Sequence, residues 1–302
     1  MAGGETSQAS LQAARPDVWT TVVDIGNTAI KLWTVKNEAI AGAPYCFDLR
    51  HADLENGSFT GEIGVLLETA GSVAIGCTGP QRIAEAIGNL VETGGGKAVH
   101  LQKNVRLPFE TCYAPGQAGI DRLANVAGGL EIARATGSSA GMLVVIDAGS
   151  AVTIDIATSE GVHLGGYILP GANMQSHALN RRTASLPPVC FDDAAEPGVD
   201  ARQSRVMNPP QPPRRTLDAI YYGILLGITG AVEKAVRQVK AVAASSDNAP
   251  VEAQSAPPMI LVTGGNAELI LDNLDTENAQ ICPALTAQGL LVLARSQKRS
   301  AS

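Results

Sequence analysis

Positive charge is scarce in this 302-residue chain, where 22 Lys and Arg stand against 29 Asp and Glu for a formal net charge of −7. A nucleic-acid groove needs clustered basic side chains to displace counterions, so this balance argues against one. The single basic cluster, RSQKR from Arg295 to Arg299, reads as a solvated terminal run. Cysteine is sparse too. Cys46, Cys77, Cys112, Cys190 and Cys282 are scattered, odd in number and without a C-x-x-C pair. That spacing supports neither a zinc site nor a disulfide framework and reads as reduced thiols in a cytoplasmic protein. The opening MAGGETSQASLQAARPDVW has no apolar centre, as a secretory leader would, and reads as a flexible polar arm over residues 1–19. The most apolar run, AIYYGILLGITGAV from Ala219, is too short to span a bilayer and continues into EKAVRQVK. No membrane or nucleic-acid partner is expected.

Several catalytic signatures are also missing. Without G-x-x-x-x-G-K-[ST] there is no P-loop, and without G-x-G-x-x-G after a strand a dinucleotide site has no anchor. Neither G-x-S-x-G nor H-E-x-x-H occurs, and His51, His100, His163 and His177 lack ligand spacing. Each histidine reads as a surface or structural residue.

What is present is an alternation of strands and helices, which puts the chain in the α/β class. TVVDIG and AIKLWTV from Thr21 start a hairpin or meander that reaches about Asp48, with a turn at Lys36 to Glu38. SVAIGCTG is a buried strand, and PQRIAEAIGNLVE is a helix with Pro80 in its first turn. KAVHLQ is one more strand, and GQAGIDRLANVAGGLEIARATG has helical periodicity. The small-residue gap near residue 138 marks a domain boundary, giving domains at 20–138 and 139–302. LVVIDAGSAVTIDIA and VHLGGYILPG then repeat the first half in outline. Residues 192–213 and 245–258 read as exposed loops, flanking a long helix from Leu217 to about Ala244 with Thr216 as its N-cap. MILVTGGNAELI is a strand, a glycine turn and a helix start, and PALTAQGLLVLARS closes the chain as a helix.

The two halves share one device. Aligning Asp24 with Asp147 superposes Gly26 on Gly149, Asn27 on Ser150 and Ile30 on Thr153, as duplicated domains flanking a nucleotide cleft would. A glycine turn with small polar neighbours exposes consecutive backbone N–H groups, a concavity suited to phosphate oxygens. Asp24 and Asp147 at the strand ends could hold Mg²⁺, directly or through water, and Lys31 could place a charge near the transferred phosphate. An isolated D-x-G is more often an ordinary turn; two matching copies favour the phosphate reading. Asp121 and Arg122 open a helix after Tyr113-Ala114-Pro115-Gly116. An acid there serves the helix dipole by default. The functional reading makes Asp121 a base for a hydroxyl proton, with Arg122 clamping a carboxylate.

DIGNTAIK, Y-A-P with G-I-D-R, DAGSAVTID, GGYILPG, TLDAI, LVTGGNAELI and PALTAQGLLVLA, in this order from Thr21 to Arg295, together resemble the type III pantothenate kinase family. The resemblance implies the acetate and sugar kinase/actin fold, that is, duplicated ribonuclease-H-like (actin-like ATPase) domains. It implies a homodimer and ATP-dependent phosphorylation of pantothenate to 4′-phosphopantothenate, the first step toward coenzyme A, with Mg²⁺ and a monovalent cation, K⁺ or NH₄⁺. Carried onto this chain, Asp24, Gly26, Asn27, Thr28 and Lys31 fall on the first phosphate motif. Gly149, Ser150 and Thr153 fall on the second, with Asp147 at its head near the cations. Tyr113, Gly119, Asp121 and Arg122 fall on the pantothenate motif, with Asp121 as base, and Thr216 also lies on the substrate side. Gly264 and Gly265 lie on the nucleotide side. The chain departs from the family pattern at Ser150, usually Thr, at Ala118, usually larger, and at Arg215, usually Asn. An accessory transcription-factor-like binding protein on the same fold, and a kinase for another small alcohol, are the competing readings.

Overall fold

The computed structural model describes residues 18–49, 62–138, 141–191, 212–244, 257–276 and 278–298. Most of the N-terminal arm and most of the loops read at 192–213 and 245–258 lie outside the described residues. The chain divides into two compact units, residues 1–102 and 103–302.

In the first unit, β1 (Trp19–Ile25), β2 (Ala29–Lys36) and β3 (Ala39–Asp48) form an antiparallel meander. Asn37 and Glu38 connect β2 to β3 with φ of 49° and 64°. Two left-handed residues give a turn whose twist matches the flanking strands. Next come α1 (Glu62–Glu68), β4 (Ser72–Cys77), α2 (Gln81–Thr93) and β5 (Lys97–Leu101). The sheet order is β3-β2-β1-β4-β5, with β4 parallel to β1 and β5 parallel to β4. Ile83, Ala84, Ile87 and Val91 make the apolar stripe of α2 and pack on Val23, Ile25, Ile30 and Leu32 of the hairpin. Pro80 has an extended ψ of 115° and caps α2 from outside, not from within its first turn.

The second unit contains β6 (Glu110–Thr111), α3 (Ile120–Ala135), β7 (Met142–Ala148), β8 (Ala151–Thr158) and β9 (Val162–Pro170). It continues with α4 (Ala172–Arg182), α5 (Thr216–Ala244), β10 (Met259–Thr263), α6 (Ala267–Leu271), β11 (Ala279–Ile281) and α7 (Leu285–Lys298). Its sheet runs β11-β10-β7-β8-β9-β6. With the short β6 set aside, this is the order of the first sheet over again: an antiparallel meander extended from its first strand by parallel strands. Each unit is therefore ribonuclease-H-like, and the α/β duplication expected from the sequence is present.

Strand alternation builds two layers on this second sheet. Val144 and Ile146 join Ile224, Ile228 and Val232 of α5 in one core. Leu143 and Val145 join Val126 and Leu130 of α3 and Leu285 of α7 in another. Because α3 packs on β7 and α7, the break near residue 138 falls inside the second unit and not at its edge. The apolar run judged too short for a bilayer belongs to a longer helix; Thr216–Val239 is long and apolar enough to cross one by length and composition. Its buried residues pack on the sheet, as in a core helix of a folded domain. The carbonyl of Arg215 accepts the amide of Ala219, so Arg215 is the N-cap of α5 and Thr216 is its first helical residue.

Candidate active site

Both phosphate-type turns are hairpin turns. In the first unit Asp24 pairs across the strands with Lys31, and the turn closes with Gly26 donating its N–H to Ala29 at 2.9 Å. Gly26 is partly exposed, and Asn27 and Thr28 are exposed at the tip. In the second unit Asp147 pairs with Thr153, and Gly149 donates to Ala151 at 3.1 Å, with Ser150 exposed. A glycine from the neighbouring parallel strand end braces each turn. A Cβ on Gly79 would collide with the Gly26 backbone, and one on Gly264 (φ 98°) would lie 2.5 Å from the Ala148 backbone. Gly265 follows, exposed.

Around the N-terminus of α3 the second unit brings together Tyr113, Gly119, Asp121 and Arg122. Asp121 is half-buried, and its Oδ1 accepts the Arg122 backbone N–H at 2.8 Å. Burial raises its carboxyl pKa above the ordinary value; the amide bond and the Arg122 charge oppose that rise, while Asp155 adds to it. Such a carboxylate holds a proton more readily than a solvated one, as a general base requires. Gly119 caps the helix in extended conformation. A cavity of about 130 Å³ adjoins this end, lined by Lys103, Val105, Tyr113, Ala118 and Leu123 among others. The small Ala118 is thus part of its wall.

Arg122 is 6% exposed and committed to the protein. Its Nε donates to Asp155 Oδ2 at 3.0 Å, and its Nη2 donates to Asp155 Oδ1 at 2.6 Å and to the Tyr113 hydroxyl at 3.0 Å. Burial disfavours the guanidinium charge, but the bonds to Asp155 and Tyr113 outweigh it and hold Arg122 protonated. With Nε and Nη2 committed, the carboxylate clamp expected of Arg122 keeps only Nη1 for a ligand. His163, fully buried on β9, completes the cluster. Its Nε2 lies 3.0 Å from Asp155 Oδ1 and its Nδ1 lies 3.2 Å from Thr111 Oγ1. A carboxylate only accepts, so Nε2 carries the proton.

A second buried network reaches Asp147. Asn125, one helical turn after Asp121, donates to Asp147 Oδ2 at 3.1 Å and accepts from the Thr286 hydroxyl at 2.8 Å. Thr216 stands exposed at the start of α5, and no hydrogen bond joins it to the Asp121 cluster among the described residues. Asp155, Asn125 and Thr286 are not singled out by the sequence, and His163 reads there only as a surface or structural histidine, although a lone Asn amid buried apolar neighbours on α3 is a usable signal.

Duplicated ribonuclease-H-like sheets, each with a glycine turn after an acidic strand end, define a class of proteins that handle nucleotide phosphates. The type III pantothenate kinase family profile matches residues 21–238. A type III pantothenate kinase from Chlorobaculum parvum is 31% identical over 255 residues, covering 82% of this chain and 84% of that one. One from Acinetobacter baylyi is 28% identical over 285 residues, 91% and 97% of the two chains. Among solved structures, a Baf family transcriptional activator from Campylobacter jejuni superposes with a TM-score of 0.54 at 20% identity, covering 92% and 99%; that likeness is one of fold. The chain belongs to the type III pantothenate kinase family.

Proposed function

We propose that this kinase moves the γ-phosphoryl group of ATP to the primary hydroxyl of pantothenate, with Asp121 as the base that accepts the hydroxyl proton. The product is 4′-phosphopantothenate, and the reaction opens the route to coenzyme A. The observation that carries the assignment of the base is the half-buried Asp121 carboxylate, one oxygen fixed by an amide and its proton affinity raised by burial. The exposed turn tips at Asn27-Thr28 and Ser150, beyond the Gly26 and Gly149 N–H groups that close the hairpins, are assigned to the phosphates of ATP, and Lys31 lies across the strand from Asp24 to add positive charge. Tyr113, Gly119, Arg122, Thr153 and Thr216 are assigned to the acceptor side, and Gly264 and Gly265 to the nucleotide side. Phosphoryl transfer asks little more of a protein than such positioning and electrostatics.

Among the described residues no three His, Cys, Asp or Glu side chains converge into a metal cage. Single carboxylates at strand ends suit Mg²⁺, a hard cation that keeps waters and takes phosphate oxygens as ligands. Asp24 and Asp147 would hold it, and bound there it would neutralise charge on the transferred group. Asp147, steadied by Asn125, is also the candidate ligand for K⁺ or NH₄⁺.

A homodimer is the assembly we assign, through α5. Gly223, Gly227 and Gly230 lie on one face with nothing near a Cβ among the described residues, and Leu226 beside them is 74% exposed. Sedimentation of Leu226→Glu against the parent chain tests that interface, a shift to monomer being the expected result. We place the work in the cytoplasm, with all five thiols free.

The test of the reaction is ADP release from Mg-ATP with K⁺, with and without pantothenate, for the parent chain and Asp121→Asn. Release that depends on pantothenate and collapses in the variant supports both the acceptor and the base. Release that survives the substitution removes Asp121 from the mechanism.

A further inference from the structure

A buried ion pair contributes little net stability, because desolvating both charges offsets their attraction. The first sheet manages without one. By register, Val22 faces Trp33 where Val145 faces Asp155 in the second sheet, and Trp33 is 2% exposed. An apolar side chain thus fills this sheet position in one copy, and the charge in the other copy calls for a reason outside folding.

The geometry supplies one. Asp155 is 1% exposed and engages two of the three Arg122 nitrogens, while His163 donates to the same carboxylate from β9. The Arg122 guanidinium lies 5.2 Å from the Tyr113 ring centroid, and the Tyr113 hydroxyl accepts from Nη2. The His163 ring packs against Tyr113 at 5.4 Å between centroids. Gly166 of β9 lies against both the Ile154 backbone and the pair: a Cβ there would collide with the Ile154 carbonyl and come within 2.9 Å of Asp155 Oδ1 and 3.0 Å of Arg122 Nη2. Nη1 of Arg122 has no partner among the described residues, and the Tyr113 hydroxyl, having accepted a bond, keeps its own proton to donate.

We propose that Asp155, steadied by His163, is a positioning residue for the acceptor substrate, fixing Arg122 and Tyr113 so that Nη1 and the phenolic proton meet an oxygen of pantothenate. The inference rests on the reading that the Asp121–Arg122 end of α3 is the acceptor site. Asp155 touches no substrate; it acts by making Arg122 rigid, so that little side-chain freedom is lost when the substrate binds.

The test compares KM for pantothenate, KM for ATP and kcat in the parent chain and Asp155→Asn, with a thermal melt of each. The expected result is a pantothenate KM raised about tenfold or more with an ATP KM unchanged within about twofold, as loss of preorganisation on one substrate alone predicts. Should Asp155→Asn fail to fold, His163→Gln carries the comparison. It leaves the ion pair in place, loosens its second anchor, and should shift the pantothenate KM by a smaller factor in the same direction. Equal changes in both KM values, or none, overturn the positioning role. Asp121→Asn run alongside separates the two claims: pantothenate-dependent turnover that persists there removes Asp121 as the base, whereas a pantothenate KM unmoved by both Asp121→Asn and Asp155→Asn sinks the acceptor site itself.

Discussion

Asp24 faces Lys31 across the first hairpin, and Asp147 faces Thr153 across the second. The pair Ile25–Ile30 encloses Gly26 to Ala29, whereas Ala148–Val152 encloses Gly149 to Ala151, so the first turn is one residue longer. An ungapped alignment therefore slips after the turn, and Lys31, not Ile30, is the counterpart of Thr153. The units also differ in what they bury. The first buries only Thr21 and Ser72 among polar side chains described there, while the second buries Arg122, Asp155, His163 and Asn125. Strand order and glycine-braced turns are common to both copies, and the charged interior belongs to one. Duplication can keep one scaffold in two places while a charged interior develops in a single copy.

Asp121→Asn breaks that asymmetry most directly. Turnover should fall by about 10²–10⁴-fold, the usual span for a lost general base, as read by pantothenate-dependent ADP release. In the parent chain kcat/KM should decline in acid with a midpoint above 3.8, the ordinary aspartate value, because burial raises this carboxyl. A raised carboxyl pKa contributes stability below its unfolded value that is lost as pH rises through the folded value. Asp121→Asn should consequently melt no lower than the parent at neutral pH.

The braces offer a matched pair of changes. Gly264→Ala and Gly79→Ala should each cost about 1–3 kcal/mol by overpacking, measured by urea unfolding. Gly264→Ala should cost about 1 kcal/mol more, since Gly264 alone of the two sits at positive φ, 98°. Small effects at both positions would mean that neither glycine braces its turn. Asn125→Ala, which has no counterpart in the buried polar set of the first unit, should cost about 1–3 kcal/mol through loss of its bonds to Asp147 and Thr286. It should also raise the Mg²⁺ or K⁺ concentration needed for half-maximal activity. Ser150→Thr restores a methyl at an exposed tip, and its stability should stay within about 0.5 kcal/mol of the parent.

Apolar runs ending at Asp24 and Asp147 made both hairpins and the duplication legible in the sequence, because strand periodicity and glycine turns are local signals. The Asp121–Arg122 pair was legible for the same reason. Asp155 and His163 were not. Each reads as one polar position in an alternating strand, and only sheet pairing with the packing of α3 brings them to Arg122. α4 escaped notice because only Ala172 and Ser176 of its residues are buried, so it lacks an apolar stripe. The boundary near residue 138 rests on a small-residue stretch that falls inside a packed unit, between α3 and β7.

Since α3 supplies Arg122 and Asn125 to the second sheet, that sheet cannot be shuffled between proteins as a cassette beginning at β7. A crossover at the small-residue gap would deliver Asp155 and His163 without their cation and Asp147 without its amide. The helix that carries Arg122 and Asn125 and the strands that carry Asp147, Asp155 and His163 therefore form one inherited block, and the natural point of exchange lies near Gln102.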